Sequence, residues 1–279
     1  LEQYRTARRI GRGVVLGRAK RDAVWPVFEE YRGQLSSRKL KEVDDAYREV
    51  ADLLHSGTAS VSEYSAIVVD ETQDFSPQAL KLLRALMPAG PNDLFFVGDG
   101  HQRIYSRNRA AMSKCGIDIR GRSKKLYLNY RTTEEIRRHA VALLEGCEVD
   151  DLDDGHDESR RYKSLSHGPA PTVLSVDGLE AAAVQALRFI TDWREARGHG
   201  AEPSFCVIAP SEKGREAMSR QLQSAGLTCV TISAQSNHAD RRDVVHFATM
   251  HRAKGLEFDL VVVVVPAEPG DCRGWQPRG

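Results

Sequence analysis

The chain has 279 residues, 41% of them hydrophobic, and a formal net charge of +1. This length can bury one full core or two smaller ones, and the near-neutral charge excludes a protein that binds nucleic acid through its net charge alone. The five cysteines are far apart and odd in number, and the longest apolar run, Leu260 to Val265, is too short for a bilayer, so we expect a soluble cytoplasmic protein with no membrane partner.

The N-terminal region predicts helices rather than a nucleotide-binding loop. Residues 1–22 are basic, and their glycines at positions 11, 13 and 17 invite comparison with a phosphate-binding loop. That comparison fails, because no Gly-Lys-Ser/Thr follows and no strand leads in. From Ala23 to about Ser56, apolar residues at helical spacing predict two helices.

The next feature is an apolar run, Ile67 to Val69, that stops at Asp70 and Glu71. Such a run predicts a parallel strand covered on both faces. Ligands of open α/β sheets bind at the carboxyl ends of strands, where an aspartate can hold Mg²⁺ and a glutamate can deprotonate a water. The alternative is a polar turn before a helix that is capped by Ser76.

Two further strands are predicted to end in polar clusters. Leu94 to Val97 is followed by the polar stretch 98–105, and Leu126 to Leu128 by 129–135. Thr132 and Glu135 have the spacing of a capping box, which predicts that a helix starts there. Three strands that each end in a polar cluster indicate an α/β fold.

The second half of the chain predicts another parallel sheet, because strands alternate with helices. The expected strands lie near Val173 and at Phe205–Ala209, Thr228–Ile232, Val244–Ala248 and Val261–Val265. The expected helices are Leu179–Ala196 and Lys213–Ala225.

Four segments together resemble motifs II, III, IV and V of UvrD/Rep-type superfamily 1 DNA helicases, in the order of that family. They are Val69–Asp74, Val97–Tyr105, Asn129–Thr133 and Thr249–Glu257. The resemblance implies an α/β fold with two RecA-like parallel-sheet lobes, the first of them incomplete, and an N-terminal helical piece. The expected domains are residues 1–58 (helical piece), 59–125 (first lobe, partial) and 126–279 (second lobe).

The resemblance also implies a nucleotide site. Asp70 would organise Mg²⁺, and Glu71 would activate the attacking water. Gln102 would sense the γ-phosphate of ATP, and Arg131 would reach it, although Arg131 could instead pair with Glu134 or Glu135. Two motif V residues, Gly255 and Glu257, would contact the nucleotide.

Four residues would contact DNA by the same resemblance. Thr249 and His251 would lie near the DNA backbone, and Tyr105 would stack on a base of single-stranded DNA. Tyr105 could equally be a core aromatic. Arg107 stands where the family usually has tryptophan, so charge contacts or guanidinium stacking would replace one stacking platform.

The implied function is ATP- and Mg²⁺-dependent movement on single-stranded DNA, or on a duplex with a single-stranded tail, with 3′ to 5′ polarity and a role in DNA repair. Motif I with its phosphate-binding loop is absent from the sequence, as is motif VI, so we expect the chain alone to be inactive. Two alternatives stay open: a non-catalytic nucleic-acid-binding relative, and the helicase part of a helicase–nuclease.

Overall fold

The computed structural model describes residues 1–7, 16–60, 64–104, 111–144, 149, 152, 161–197, 203–233 and 243–266. The chain forms two compact units, one spanning Leu1–Pro171 and one beginning at Thr172. The domain boundaries predicted from the sequence, at 58/59 and 125/126, stay predictions. None of the helices in the described ranges is long and apolar enough to cross a membrane.

The first unit begins with the two expected helices, preceded by a short one. These are α1 (Glu2–Thr6), α2 (Arg18–Ser37) and α3 (Val43–His55). The α2 helix starts five residues before the expected Ala23, and Trp25 and Phe28 on its apolar stripe pack around the ring of Tyr4 in α1. Arg32 of α2 binds Asp45 of α3, which ties the two long helices together.

The first sheet pairs β1 (Ile67–Val69) with β2 (Leu94–Phe96), and α4 (Pro77–Ala85) lies between them in sequence. The pairing is parallel, as predicted. Full coverage of both faces was a wrong expectation, because Val68 is 73% and Phe95 61% exposed. Leu94 and Phe96 instead pack on a core that contains Leu80, so the described residues bury one face of this sheet.

The third strand, β3 (Leu128–Asn129), pairs in parallel with β4 (Lys163–Ser164) and precedes α5 (Glu134–Ala142). It lies further along the chain than predicted. The capping-box prediction is also wrong by one residue, since the N-cap is Thr133, whose Oγ1 accepts the N–H of Ile136. The hydroxyl of Thr132 instead accepts a hydrogen bond from Asn129 Nδ2 at 2.6 Å.

The second unit confirms the predicted second parallel sheet, with strand order β6-β7-β5-β8. Its elements are α6 (Gly178–Arg197), β5 (Phe205–Ala209), α7 (Glu212–Ser224), β6 (Cys229–Thr231), β7 (Val245–Thr249), α8 (Met250–Ala253) and β8 (Leu260–Val263). Ile190 of α6 and Met218 of α7 pack with Phe205 and Phe247 in its core. Val173, where a strand was expected, lies outside regular structure.

Candidate functional site

Two exposed carboxylates follow the end of β1 in a strained turn. Asp70 Oδ1 accepts the N–H of Glu71 at 2.8 Å, and Glu71 has a φ of +52°, in the left-handed region that non-glycine residues rarely adopt. The N–H and hydroxyl of Thr72 both donate to the carbonyl of Val97, at 3.0 and 2.8 Å. Backbone strain of this kind is concentrated at functional sites, and the same turn leads into α4 and its N-cap Ser76, so both interpretations of the turn stay open.

A buried glutamine joins this turn to the end of β2. Gln73 is 1% exposed, its Nε2 donates to Glu71 Oε2, and its Oε1 accepts the N–H of Asp99 at 2.9 Å. A Cβ on Gly98 would lie 2.8 Å from Gln73 Oε1, so glycine is required there for the close approach. The sequence analysis assigned no role to Gln73. Its position between the carboxylates of Glu71 and Asp74 is the sequence feature that could have indicated one.

Asp99 carries the hydrogen-bond chain on to Gln102. Its Oδ2 accepts from Gln102 Nε2 at 3.0 Å, and its Oδ1 accepts the N–H of His101 at 2.9 Å. Burial raises the pKa of Asp99, but hydrogen bonds from His101 and Gln102 outweigh it, and the net effect is a lowered pKa. The structure thus links Glu71 to Gln102 through Gln73 and a charged Asp99.

Arg131 lies in a turn that the side chain of Asn129 holds. Asn129 Oδ1 accepts the N–H groups of Arg131 and Thr132, at 2.9 and 3.3 Å, and the side chain of Arg131 is exposed. The alternative that Arg131 pairs with Glu134 or Glu135 is not what the structure shows. Glu134 binds Arg137 and Arg138, while Glu135 binds His167. Convergence of Arg131 with Asp70 and Gln102 on one cleft stays a prediction.

Glu135 fastens a loop to the start of α5. Its two carboxylate oxygens contact His167 Nδ1 and accept the N–H of Gly168, both at 2.9 Å. These contacts, that of His167 first, lower the pKa of Glu135 to about 2. Because the folded value lies below the unfolded value of about 4.3, Glu135 stabilises the folded state above the unfolded pKa. That contribution is lost as the pH falls towards 2.

We expect the His167→Ala substitution to raise the pKa of Glu135 towards 4.3, because the largest cause of its depression is removed. The amide proton shift of Gly168, followed by NMR between pH 5 and 2, reports this titration. The midpoint should lie near 2 in the unsubstituted chain and higher in the variant, and the titration should vanish in Glu135→Gln. An unchanged midpoint in His167→Ala would contradict the assignment.

The motif V residues lie together in the second unit, from the last residue of β7 onwards. Thr249 is the N-cap residue of α8, and Gly255 has a φ of +79°, which explains the glycine there. Leu256 packs on the core formed around Cys206, which anchors the turn to the sheet. The side chains of two of the predicted site residues are exposed, His251 and Glu257. The carboxyl end of a parallel strand is where a ligand would bind.

The remaining predicted DNA contacts, Tyr105 and Arg107, lie outside the described residues. Within the described ranges, no group of three or more His, Cys, Asp or Glu side chains could hold a metal ion by itself. Mg²⁺ in nucleotide sites is held by one or two carboxylates together with substrate phosphates and waters. The exposed Asp70 carboxylate fits that kind of site.

A comparison with protein-family models finds a match that includes this hydrogen-bond chain. Residues 12–115 match the model of the UvrD/REP helicase N-terminal domain, a range that contains both β1 and β2 and the hydrogen-bond chain from Glu71 to Gln102. No curated protein matches the chain. The family match and the parallel α/β sheets agree with RecA-like architecture. Residues 12–115 are therefore similar to the N-terminal domain of UvrD/REP helicases, the family that the sequence motifs resemble.

Proposed function

We propose that this chain is part of an ATP-dependent DNA helicase that couples ATP hydrolysis to 3′ to 5′ movement on single-stranded DNA. The observation that carries the proposal is the continuous hydrogen-bond chain Glu71–Gln73–Asp99–Gln102. It connects a residue suited to activate water with one suited to sense phosphate, inside the range that matches the helicase family. ATP and Mg²⁺ are the proposed cofactors.

The hydrolytic half of the site follows from the turn after β1. Asp70 would hold Mg²⁺, which when bound neutralises phosphate charge. Glu71 would orient a water and accept its proton, and the amide of Gln73 holds one oxygen of Glu71 in place. Arg131 would stabilise charge on the γ-phosphate.

The sensing half follows from the loop after β2. Gln102 would contact the γ-phosphate, and its bond to Asp99 ties it to Gln73. A change at Gln102 therefore reaches Glu71 through three hydrogen bonds, two of them partly buried. The same loop continues to Tyr105 and Arg107, which would contact single-stranded DNA by stacking and charge. Thr249 and His251 would contact its backbone, and Gly255 and Glu257 the nucleotide.

The thiols support a reducing compartment, and we propose the cytoplasm. The three cysteines in the described ranges, Cys115, Cys206 and Cys229, are all free. Burial raises the pKa of Cys206 to about 12, which makes this thiol inert at neutral pH.

A strand-displacement assay tests the proposed function. A parent protein that joins this chain to a phosphate-binding loop should unwind a duplex with a 3′ single-stranded tail when ATP and Mg²⁺ are present, and leave a 5′-tailed duplex intact. DNA binding without ATP-dependent unwinding would favour the non-catalytic alternative. Shortened strands among the products would favour a helicase–nuclease.

The chain of 279 residues by itself is expected to release no phosphate from ATP. Phosphoryl transfer depends on positioning and charge stabilisation, and the sequence has no glycine-rich loop with Gly-Lys-Ser/Thr to cradle the β- and γ-phosphates. In a steady-state assay with single-stranded DNA, the chain and its Glu71→Gln variant should give the same background. Turnover well above that of the variant would reveal an unrecognised phosphate site, with residues 11–20 the first place to search.

A further inference from the structure

A short segment, residues 162–168, contacts both halves of the phosphate-sensing machinery of the first unit. We call it the bridge segment. On one side it holds the turn that carries Arg131, and on the other it touches the loop that carries Gln102. Any role for it in catalysis rests on the function proposed above, whereas its contacts do not.

The contacts on the Arg131 side are dense. Glu134, 7% exposed, accepts the N–H of Ser164 at 2.8 Å, and its own N–H donates to the carbonyl of Ser166 at 2.9 Å. Hydrogen bonds from Arg137 and then from Ser164 keep the pKa of Glu134 far below its usual range, so this anchor stays charged. The β3–β4 pairing adds main-chain bonds directly before the Asn129 turn.

Close packing also holds the bridge segment against the residues that follow Arg131. A Cβ on Gly168 would lie 2.9 Å from Thr133 Cγ2, so the chain lies directly on the first turn of α5. Glu135 holds this point through Gly168 and His167. Residues 164–168 are thus fastened to the N-terminus of α5, which begins three residues after Arg131.

The contact on the Gln102 side is aromatic. The ring of Tyr162 meets the ring of His101 edge-on, with centroids 5.6 Å apart. Tyr162 also packs against Tyr127, at 5.3 Å between centroids. His101 is the direct neighbour of Gln102, and both bind the carboxylate of Asp99.

We propose that the bridge segment positions the Arg131 turn and the Gln102 loop relative to each other, with Tyr162 as a positioning residue and Glu134 as its anchor. A segment held both at the Arg131 turn and at the Gln102 loop restricts the two loops together. A displacement of either loop then displaces the other. The two proposed γ-phosphate contacts, by Arg131 and Gln102, are therefore formed or lost together.

Hydrogen exchange measured by mass spectrometry on the whole chain tests the bridge. In Tyr162→Ala, peptides covering 98–104 and 128–133 should both exchange about 2- to 10-fold faster, the range expected for loss of an aromatic pair. Tyr162→Phe retains the ring and should restore slow exchange in both. Tyr4→Ala, which removes a packed aromatic ring elsewhere in the first unit, should leave both peptides unchanged.

Three results would overturn the proposal: acceleration confined to residues 161–165, equal acceleration throughout the first unit, or no rescue by phenylalanine.

A companion measurement in a parent protein with its phosphate-binding loop separates this proposal from the proposed function. There Tyr162→Ala should lower kcat for ATP hydrolysis, and Tyr162→Phe should not. A parent without any ATP hydrolysis would contradict the proposed function, while the exchange result decides on the bridge independently.

Discussion

Replacing Gln73 with leucine is expected to lower the free energy of opening around β1 and β2 by about 1–3 kcal/mol. Leucine has a similar size but neither donates to Glu71 nor accepts from Asp99. The N–H of Asp99 then loses its partner in a partly buried position, and an unsatisfied buried donor has a cost of this order. The expected loss is local, because Gln73 packs between the ends of the two strands.

Two further variants separate the hydrogen bonds of Gln73 from its volume. Gln73→Glu keeps an acceptor for Asp99 but places a second carboxylate against Glu71, and a buried like charge should destabilise more than leucine does. Gln34→Leu is the matched control, since Gln34 is exposed on α2 and bonds only within its helix, to Glu30 at 3.0 Å. It should change stability by less than about 0.5 kcal/mol.

Native-state hydrogen exchange at two amides reads these effects directly. The N–H of Thr72 donates to Val97, and the N–H of Val97 donates to Val69. Both hydrogen bonds join the ends of β1 and β2, where Gln73 packs. Their opening free energies should fall in Gln73→Leu and fall further in Gln73→Glu. If Gln73→Leu were tolerated as well as Gln34→Leu, the hydrogen-bond chain would not be structurally important.

The sequence predicted the features that depend on local pattern. The apolar run before Asp70 and the one before Gly98 specified two strands, and their parallel pairing followed from the strand–helix–strand order. Ser76 followed by proline specified the start of α4, and its hydroxyl does accept the N–H of Ala79, at 3.2 Å. The end of each strand then located the polar clusters, because the chain must leave the sheet there.

Features that depend on distant partners were not predictable in the same way. Gln73 acquires its role from Asp99, 26 residues away, and that contact requires Gly98 to admit the side chain. The cap of α5 moved to Thr133 because Asn129 takes the hydroxyl of Thr132. Exposure of Val68 depends on which strands join the sheet, and an apolar run does not contain that information.

The Glu71→Gln substitution is expected to have the largest effect on activity. Glutamine is nearly isosteric and can still accept from Gln73, so the fold and the turn after β1 should persist. It cannot take a proton from water, and a positioned general base contributes about 10²–10⁴-fold to rate. In a parent protein that carries this chain and a phosphate-binding loop, ATP hydrolysis should fall by that factor while ATP binding is retained.

The matched control is Glu212→Gln, because Glu212 lies in the first turn of α7, in the second unit. It should leave hydrolysis unchanged. Both variants should unfold at the temperature of the parent to within a few degrees, which excludes loss of folding as the cause.

Single-stranded-DNA-stimulated phosphate release by that parent, compared between the unsubstituted protein and Glu71→Gln, tests the central claim most directly. Release should rise with DNA, require Mg²⁺ and drop at least about 100-fold in the variant, with nucleotide affinity preserved. Equal release by the two proteins would contradict the assignment of Glu71 and of the site built around it.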